Sequence, residues 1–255
     1  MSPPSSRYLG VTHRSHAVFD RQELFVRVNI QVAIDGPAGA GKSTVARLVA
    51  QRLRLTYIDS GAMYRSLALM AVRRAVDPDD EEGLAALADA LDVTFSSASD
   101  GQLVTVGSED VTDLIRSADI GRLAPLVARH RSVRDHMVAR QRRLADHCDG
   151  VVMDGRDIGT HVLPHAQVKI YQTASLDTRA ARRYAELAKY DSGLTQEDVR
   201  KTVHARDKVD GTRTVAPMRP ADDAVIVDTT ALSVSEAVAM IAALCEERRM
   251  HLGER

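Results

Sequence analysis

One run of residues in the chain has the types and the spacing that suit the binding of a polyphosphate. It consists of Gly36, Pro37, Ala38, Gly39, Ala40, Gly41, Lys42 and Ser43, with Thr44 next. Glycines at these positions let backbone N–H groups converge on phosphate oxygens, Lys42 adds a positive charge, and the Ser43 hydroxyl suits Mg²⁺. An apolar run precedes the motif and helical spacing follows it, as a phosphate loop requires. The sequence therefore predicts a nucleotide-binding loop.

A second set of residues could bind further phosphate groups. It comprises Arg65, Arg142, Arg156, Arg182, Arg183, Arg206 and Arg213. A guanidinium fork matches two phosphate oxygens, although a single arginine taken alone is more often a solvated surface charge. Arg156 and Asp157 follow the expected strand 151–154, and ligands of open α/β folds bind where such strands end. We therefore expect these two residues at a binding site.

Arg206, Asp210 and Arg213 are spaced so that they would share one face of a helix. Three long polar side chains on one face could close over phosphates and sugar hydroxyls. The alternative is a ladder of surface ion pairs, and Gly211 weakens the helical assumption itself. The spacing alone does not decide between the two.

Three aspartates end or follow apolar runs and are candidates for holding Mg²⁺ through water: Asp35, Asp59 and Asp154. Their order along the chain leaves all three open. His161 and His165 are four residues apart, but Pro164 would break the helix that a shared metal site of this spacing needs.

The composition argues against several classes of protein. The 34 basic and 35 acidic side chains leave a net charge of −1, so no overall field attracts nucleic acid or an anionic membrane. Cys148 and Cys245 lack a C-x-x-C partner, which argues against a zinc site or disulfide framework and favours a reducing, cytoplasmic setting. No stretch approaches the ~20 apolar residues of a membrane span, and the N-terminus lacks the apolar region of a secretory signal.

The hydrophobic pattern predicts an α/β fold, with a parallel sheet that is flanked by helices on both sides. Apolar runs typical of buried parallel strands lie at 30–35, 151–153, 168–171 and 224–227. The clearest helix begins at the capping pair Ser233 and Glu236. Its expected apolar face comprises Val234, Val238, Ile241 and Cys245.

We expect a core that carries an insert, since a change of texture separates the first strand from the later ones. The expected core is 28–60 and 145–247, the insert is 61–144, and the flanks are a disordered extension, 1–27, and a tail, 248–255. Within the insert the pattern predicts helices near 61–75, 80–91 and 129–144, and a hairpin of 93–95 with 103–106.

Taken together, the motifs resemble those of the bacterial cytidylate kinases, which are P-loop nucleoside monophosphate kinases. The similarity extends from about Ile30 to Leu244. It rests on the segments 34–44, 57–65, 154–160, 182–184 and 206–207, and on Asp210, Arg213, Ala216 and Pro217. Several separate motifs in the right order are far more specific than the phosphate loop alone.

The resemblance implies that ATP, with Mg²⁺, donates its γ-phosphate to CMP or dCMP. The residues implied in the transfer are Lys42, Arg156, Arg182, Arg183 and Arg206, with Arg182 and Arg183 in a mobile lid within about 179–213. Those implied around the acceptor phosphate are Ser60, Tyr64, Arg65, Arg156, Arg206 and Arg213. Asp210 would bind the sugar, and Arg142 with Asp157 would read the cytosine edge. We expect a monomer without nucleic-acid or membrane partners.

Pro125 departs from the family pattern, because a serine that helps contact the base usually stands there and proline offers no donor. UMP, AMP or a small metabolite therefore stays open as the acceptor. A P-loop GTPase is a poorer alternative, since its guanine-reading Asn-Lys-x-Asp motif cannot be built when the sole asparagine is Asn29. An RNA-binding protein is also disfavoured, because the sparse aromatic residues supply no stacking platform.

Overall fold

The structure is a computed structural model and describes residues 29–98, 101–188 and 193–253. The predicted extension, 1–27, and the last two residues of the predicted tail lie outside the described residues.

Strands and helices alternate along most of the described chain. The strands are β1 (Gln31–Asp35), β2 (Thr56–Asp59), β3 (Val93–Ala98), β4 (Gly101–Val106), β5 (Glu109–Asp110), β6 (Val151–Gly155), β7 (Val168–Thr173) and β8 (Val225–Asp228). The helices are α1 (Lys42–Leu53), α2 (Ser60–Arg73), α3 (Glu81–Ala90), α4 (Ala118–Val127), α5 (Arg131–Asp146), α6 (Leu176–Leu187), α7 (Gln196–Thr212) and α8 (Val234–Gly253). A 3₁₀ turn spans Leu114–Arg116 and a π-helical turn spans Ile158–Val162.

Five parallel strands form the central sheet, in the order β2, β6, β1, β7, β8. The predicted parallel sheet is thus confirmed, with β1 in the middle. At the carboxyl end of β1, Asp35 lies beside Gly155 of β6 and Tyr171 of β7. The segments that follow these three strands therefore emerge at one edge of the sheet, and this brings the phosphate loop next to Arg156.

Apolar residues cover both faces of the sheet. One cluster joins the sheet to α1 and α8, through residues such as Val49, Val152 and Ile241. A second cluster joins the opposite face to α5 and the π-helical turn, through residues such as Val138 and Met153. The prediction of helices on both sides is confirmed.

The residues between β2 and β6 have a core of their own, formed mainly by α2, α3, α4 and the small sheet. The predicted hairpin is confirmed, because β3 and β4 pair antiparallel and β5 extends them. Helix α4 was not predicted, since Gly121 and Pro125 are poor helix formers. It forms because Ser117 accepts a hydrogen bond from the Ile120 N–H and the helix buries an apolar face. The division of the chain into core, insert and lid stays a prediction.

The capping box at the start of α8 is confirmed. The Ser233 N–H donates to Glu236 Oε2 at 2.8 Å, and the Glu236 N–H donates to Ser233 Oγ at 3.3 Å. Of the predicted apolar face, Val238, Ile241 and Cys245 are buried. Val234, the first residue of α8, is exposed instead. None of the described helices is both long enough and apolar enough to cross a membrane.

Candidate nucleotide-binding site

The phosphate loop joins β1 to α1 and has the backbone that its glycines predict. Gly36, Gly39 and Gly41 have φ angles of 146°, 74° and 83°, which residues with a Cβ rarely adopt. At Gly36 space is a further constraint, because a Cβ there would overlap the carbonyl oxygen of Gln172. The loop ends at the N-terminus of α1, where the helix dipole and free N–H groups favour an anion.

Side chains outside the loop hold its carbonyl groups. Gln172 Nε2 and Arg182 Nη1 donate to the oxygen of Ala40 at 2.7 and 3.3 Å. Arg182 Nη2 also donates to the oxygen of Thr229 at 2.7 Å, so this arginine braces the loop from α6. Arg183 points elsewhere and pairs with Glu186 at 2.8 Å.

Lys42 is buried at the loop, where its Nζ donates to the oxygen of Pro37 at 2.8 Å. Burial holds the pKa of this lysine well below its usual value, and the positive charge of Arg156 lowers it further. The negative charge of a bound anion would oppose both effects and favour the charged lysine. The loop is thus electrostatically prepared for a polyphosphate.

Asp154 at the end of β6 is the acidic residue that meets the loop. Its Oδ2 accepts a hydrogen bond from Ser43 at 2.8 Å, and its Oδ1 accepts one from Tyr57 at 2.9 Å. Burial and the neighbouring Asp59 raise the pKa of Asp154 to about 6. A nearby cation would favour the ionised form of this carboxylate. The Ser43 hydroxyl and the Asp154 carboxylate are oxygen ligands of the kind that Mg²⁺ prefers.

The other two candidate acids have structural partners. Asp35 accepts hydrogen bonds from the N–H groups of Ile158 and Gly159, at 2.8 and 2.7 Å. Asp59 caps α2 and forms an ion pair with Arg65 at 2.8 Å. The geometry therefore separates Asp154 from Asp35 and Asp59, which the order of residues left equivalent. The described residues contain no cluster of three His, Cys, Asp or Glu side chains that could hold a metal by themselves.

Three arginines from different elements, Arg65 of α2, Arg156 after β6 and Arg206 of α7, lie close enough to act on one another. Arg156 Nε pairs with Asp210 Oδ2 at 2.8 Å, and Arg206 Nε lies 3.9 Å from the same oxygen. Burial and the charges of Arg156 and Arg65 lower the pKa of Arg206 to about 10. The buried Nε atoms of Arg65 and Arg206 have no hydrogen-bond partner among the described residues. The carboxylates of Asp59 and Asp210 pair with these arginines but leave guanidinium donors unused, so the cluster is suited to an anion such as phosphate.

Arg213 does not share a helix face with Arg206 and Asp210, as the spacing had suggested. Helix α7 ends at Thr212, and Arg213 has an extended backbone. Its Nη2 therefore reaches Asp157 Oδ1 at 2.9 Å, while its Nε donates to the oxygen of Ala216 at 2.6 Å. Arg206 and Asp210 do lie one turn apart on α7, as predicted.

Comparison with known proteins identifies the family to which these motifs belong. The sequence profile described as "Cytidylate kinase" matches residues 32–247, which is most of the chain. The chain belongs to the cytidylate kinase family. It is similar to the cytidylate kinase of Geobacillus sp. (strain WCH70), with 50% identity over 88% of this chain and 99% of that one. It is also similar to that of Bacillus subtilis (strain 168), with 47% identity over 86% and 97%.

Among solved structures, a shikimate kinase from Bacteroides thetaiotaomicron aligns with a TM-score of 0.46 and 12% identity. The alignment covers 85% of this chain and 98% of that chain.

In this member of the cytidylate kinase family, Arg142 and Asp157, which were expected to read the cytosine edge together, have separate partners. Arg142 donates to the backbone oxygens of Val162 and His161, at 2.8 and 2.7 Å. The arginine beside Asp157 is Arg134, whose Nη2 donates to Asp157 Oδ2. Arg142 lies two helical turns further along α5 and contacts the π-helical turn, so its role at the base stays a prediction.

Arg134 is the most buried arginine of this site and was missed in the sequence. Its guanidinium carbon lies 5.7 Å from the centre of the Tyr64 ring, and 1% of its side chain is exposed. A sequence signal existed, because Arg134 falls in register with Met137, Val138 and Gln141 on the buried face of α5. An arginine on an apolar helix face has a partner, since an unpaired buried charge is costly.

Ser60 and Tyr64 lie on the first turns of α2, as expected for residues of one site. Ser60 Oγ donates to the backbone oxygen of Asp154 at 2.6 Å, which ties α2 to β6. Tyr64 is enclosed, so burial raises the pKa of its hydroxyl to about 12. That hydroxyl has no hydrogen-bond partner among the described residues. Two residues in this cytidylate kinase family member, Arg179 and Asp207, also contact the phosphate loop and were not predicted.

Proposed function

We propose that this protein transfers the γ-phosphoryl group of ATP to CMP and dCMP, which yields ADP with CDP or dCDP. One observation supports this most strongly: the phosphate loop and the arginine cluster are neighbours at the carboxyl end of the sheet, where β1 and β6 pair in parallel. The positive charges of Arg156 and Arg206 both act on Lys42 of the loop. Two neighbouring phosphate-binding sets suit a donor and an acceptor that must meet in line.

The donor occupies the loop in this proposal. The segment 36–44 surrounds the ATP phosphates. Backbone N–H groups from Gly39 onward hold them, since Pro37 has no N–H and that of Ala38 donates to Asp207. Lys42 neutralises charge on the outer phosphates. Ser43, together with Asp154 acting through water, would hold the Mg²⁺ that accompanies ATP. When bound, Mg²⁺ would neutralise charge that develops on the phosphate oxygens. Arg182 keeps the loop in its binding shape through Ala40, and Arg183 adds positive charge near Arg206.

The acceptor phosphate lies among Arg65, Arg156 and Arg206, where guanidinium donors without partners are available. Asp210 pairs with Arg156 in the same cluster and can accept hydrogen bonds from sugar hydroxyls. Arg213 contributes by holding Asp157 in place through their ion pair. It does not act from the helix face on which it was first expected. Ser60 and Tyr64 complete the wall from α2.

The base is read by Asp157 and Arg134 in this proposal, in place of the pair Asp157 and Arg142. A carboxylate accepts a hydrogen bond from the exocyclic amine of cytosine, and an arginine donates to its carbonyl oxygen and ring nitrogen. Uracil lacks that amine and would leave Asp157 facing a carbonyl oxygen. The two ion pairs of Asp157 fix its position before the base arrives.

The reaction needs no general base. A phosphate monoester has a second pKa near 6, so the acceptor is largely a dianion at neutral pH. One of its oxygens forms a bond to the γ-phosphorus, the bond from that phosphorus to the β–γ bridging oxygen breaks, and ADP leaves with that electron pair. The protein brings two polyanions together, and Lys42 with Arg156 and Arg206 offsets their repulsion.

Arg156→Ala with a matched control tests this assignment. We expect kcat/KM for CMP to fall by about 10²-fold, since one charged donor to the acceptor phosphate is lost. ATP affinity, measured by calorimetry, should largely survive. Arg122→Ala is the control, because Arg122 is an exposed arginine paired with Asp119 on α4. An equal loss of CMP use and ATP affinity in Arg156→Ala would contradict the assignment to the acceptor.

A further inference from the structure

Both backbone polar groups of Ala38 in the phosphate loop are occupied by side chains of other helices. The Ala38 N–H donates to Asp207 Oδ1 of α7 at 3.0 Å. The Ala38 oxygen accepts a hydrogen bond from Arg179 Nη1 of α6, also at 3.0 Å. Arg179 and Asp207 are themselves an ion pair. The ion pair of Arg179 and Asp207 therefore holds both the N–H group and the carbonyl oxygen of Ala38.

This pair, which we call the loop clasp, lies in a largely buried setting. The side chains of Arg179 and Asp207 are 9% and 18% exposed. Arg179 Nε is occupied as well, since it donates to the oxygen of Ala174 at 2.9 Å. The Ala38 side chain packs against Val199 and Val203 of α7. Polar and apolar contacts thus fasten α7 to the loop at one residue.

Helix α7 touches both halves of the proposed site. Asp207 contacts the phosphate loop, whereas Asp210 pairs with Arg156 and lies near Arg206 in the arginine cluster. Because α7 is one continuous helix, it joins Ala38 to the acceptor arginines, and a shift of the loop at Ala38 would act on them. Conversely, an acceptor that draws in Arg206 acts on the helix that holds the loop.

We propose that the loop clasp is a positioning device that makes donor and acceptor nucleotides bind synergistically. This inference rests on the proposed function for the acceptor, whereas its donor part stands on the phosphate loop alone. Arg179 and Asp207 act through Ala38 and α7, so their role is to orient other groups. By thermodynamic reciprocity, a donor that tightens the loop raises acceptor affinity by the same factor as the acceptor raises donor affinity.

Asp207→Asn is the informative variant, because asparagine can still accept from the Ala38 N–H but cannot form the ion pair with Arg179. The matched control is Asp177→Asn. Asp177 of α6 pairs with Arg200 of α7 at 2.8 Å, so it too is an ion pair between these two helices, but an exposed one whose partner is not a loop residue. Circular dichroism and thermal unfolding establish that each variant is folded.

Calorimetry then gives three numbers for each protein: the Kd of Mg·ADP, the Kd of CMP, and the Kd of CMP at saturating Mg·ADP. ADP is the donor-site probe, since it binds the loop without supplying a transferable γ-phosphate. For the unaltered protein we expect Mg·ADP to tighten CMP by at least about 5-fold, the lower range for coupled sites. Asp207→Asn should raise the Kd of Mg·ADP by roughly 10-fold. The factor by which Mg·ADP lowers the Kd of CMP should fall close to one in this variant. Its Kd for CMP alone should stay within about 2-fold, as should all values for Asp177→Asn.

Several outcomes would overturn the proposal. They are an unaltered protein without synergy, an Asp207→Asn variant that keeps it, and an equal loss of synergy in Asp177→Asn. A comparable loss of CMP binding without ADP would also overturn it, since Asp207 would then only hold α7 in the fold. Failure of the proposed function would be recognised separately, because the unaltered protein would not bind CMP while the effect of Asp207→Asn on Mg·ADP could still be measured.

Discussion

Arg206 is a charged side chain that the fold buries without fully satisfying it. Burial and neighbouring arginines lower its pKa to about 10, and its buried Nε has no hydrogen-bond partner among the described residues. Such a group costs stability until an anion arrives. In the proposed function, the buried charge that lowers the stability of the ligand-free protein is the charge that binds phosphate, and such a trade-off is common at functional sites.

Arg206→Met should therefore separate stability from binding. We expect the variant without ligand to be at least as stable as the unaltered protein, because a repelled charge is replaced by a side chain of similar length. CMP affinity should fall by roughly 1.5–3 kcal/mol, the range for a hydrogen bond to a charged group. Thermal unfolding with and without CMP measures both. Arg200→Met, at an exposed position of the same helix, is the control; a ligand-free Arg206→Met protein that unfolds much earlier would contradict the argument.

Arg134 and Arg142 provide a test of base recognition. Arg134→Met should raise the KM for CMP by roughly 10-fold, since one charged partner near the base is lost. It should also reduce the preference for CMP over UMP, because Asp157 loses one of its two ion pairs. Arg142→Met removes hydrogen bonds to backbone oxygens only and should leave that preference unchanged. Steady-state kinetics with both acceptors decide this, and a larger change of preference in Arg142→Met would restore the original pairing.

Asp35 predicts a pH dependence of stability with a definite sign. Burial raises its pKa from 3.8 to about 7, against two backbone hydrogen bonds that lower it. The folded protein therefore holds a proton that the unfolded chain releases between about pH 4 and pH 7. From this group, the free energy of unfolding falls as pH rises through that interval. Urea unfolding at pH 5 and pH 8 should show a smaller fall in Asp35→Asn, and equal pH slopes in the two proteins would contradict the prediction.

At the scale of elements, the site depends on how closely β7 and α7 approach the phosphate loop. The carbonyl oxygen of Gln172 on β7 occupies the space where a Cβ on Gly36 would lie. Helix α7 meets the loop at Ala38 on one face and the acceptor arginines on another. Gly36 of the loop and Gly211 of α7 therefore differ in whether they tolerate a side chain.

Gly36→Ala should abolish ATP binding, because both its φ of 146° and the adjacent strand exclude a Cβ. Gly211→Ala is the comparison, since nothing lies within 4 Å of a Cβ at this position in α7. It should stabilise the protein by about 0.5–1 kcal/mol through its higher helix propensity. Calorimetry with ATP and thermal unfolding measure the two effects. Retention of ATP binding in Gly36→Ala would contradict the described loop geometry.

At the scale of the whole molecule, the sheet and the loop were readable in the sequence because their signals are local. The apolar runs of β1, β6 and β7 each predict a buried strand, and the glycines of the loop predict its φ angles. The run 224–227 predicts a buried strand as well, but β8 lies at the edge of the sheet and buries only Val227. Helix α4 escaped prediction because packing of its apolar face outweighs the low propensity of Gly121 and Pro125.

The partners of charged side chains were less predictable, because they depend on which elements meet in space. Arg134, Arg140, Arg142 and Arg143 lie within one helix, and their spacing from Asp157 along the chain does not tell which of them reaches it. The helix period was the usable signal, since it places Arg134 on the buried face. Asp207 and Arg179 meet at Ala38, more than a hundred residues earlier in the chain, and no spacing rule would have joined them.

The most direct test of the proposed reaction is a coupled assay of ADP release with Mg·ATP and, in turn, CMP, dCMP, UMP, AMP and no acceptor. We expect turnover with CMP and dCMP, far weaker turnover with UMP and AMP, and almost none without an acceptor. Turnover that is equal with and without an acceptor would contradict phosphoryl transfer to a nucleotide. Equal turnover with UMP and CMP would contradict the reading of cytosine by Asp157 and Arg134.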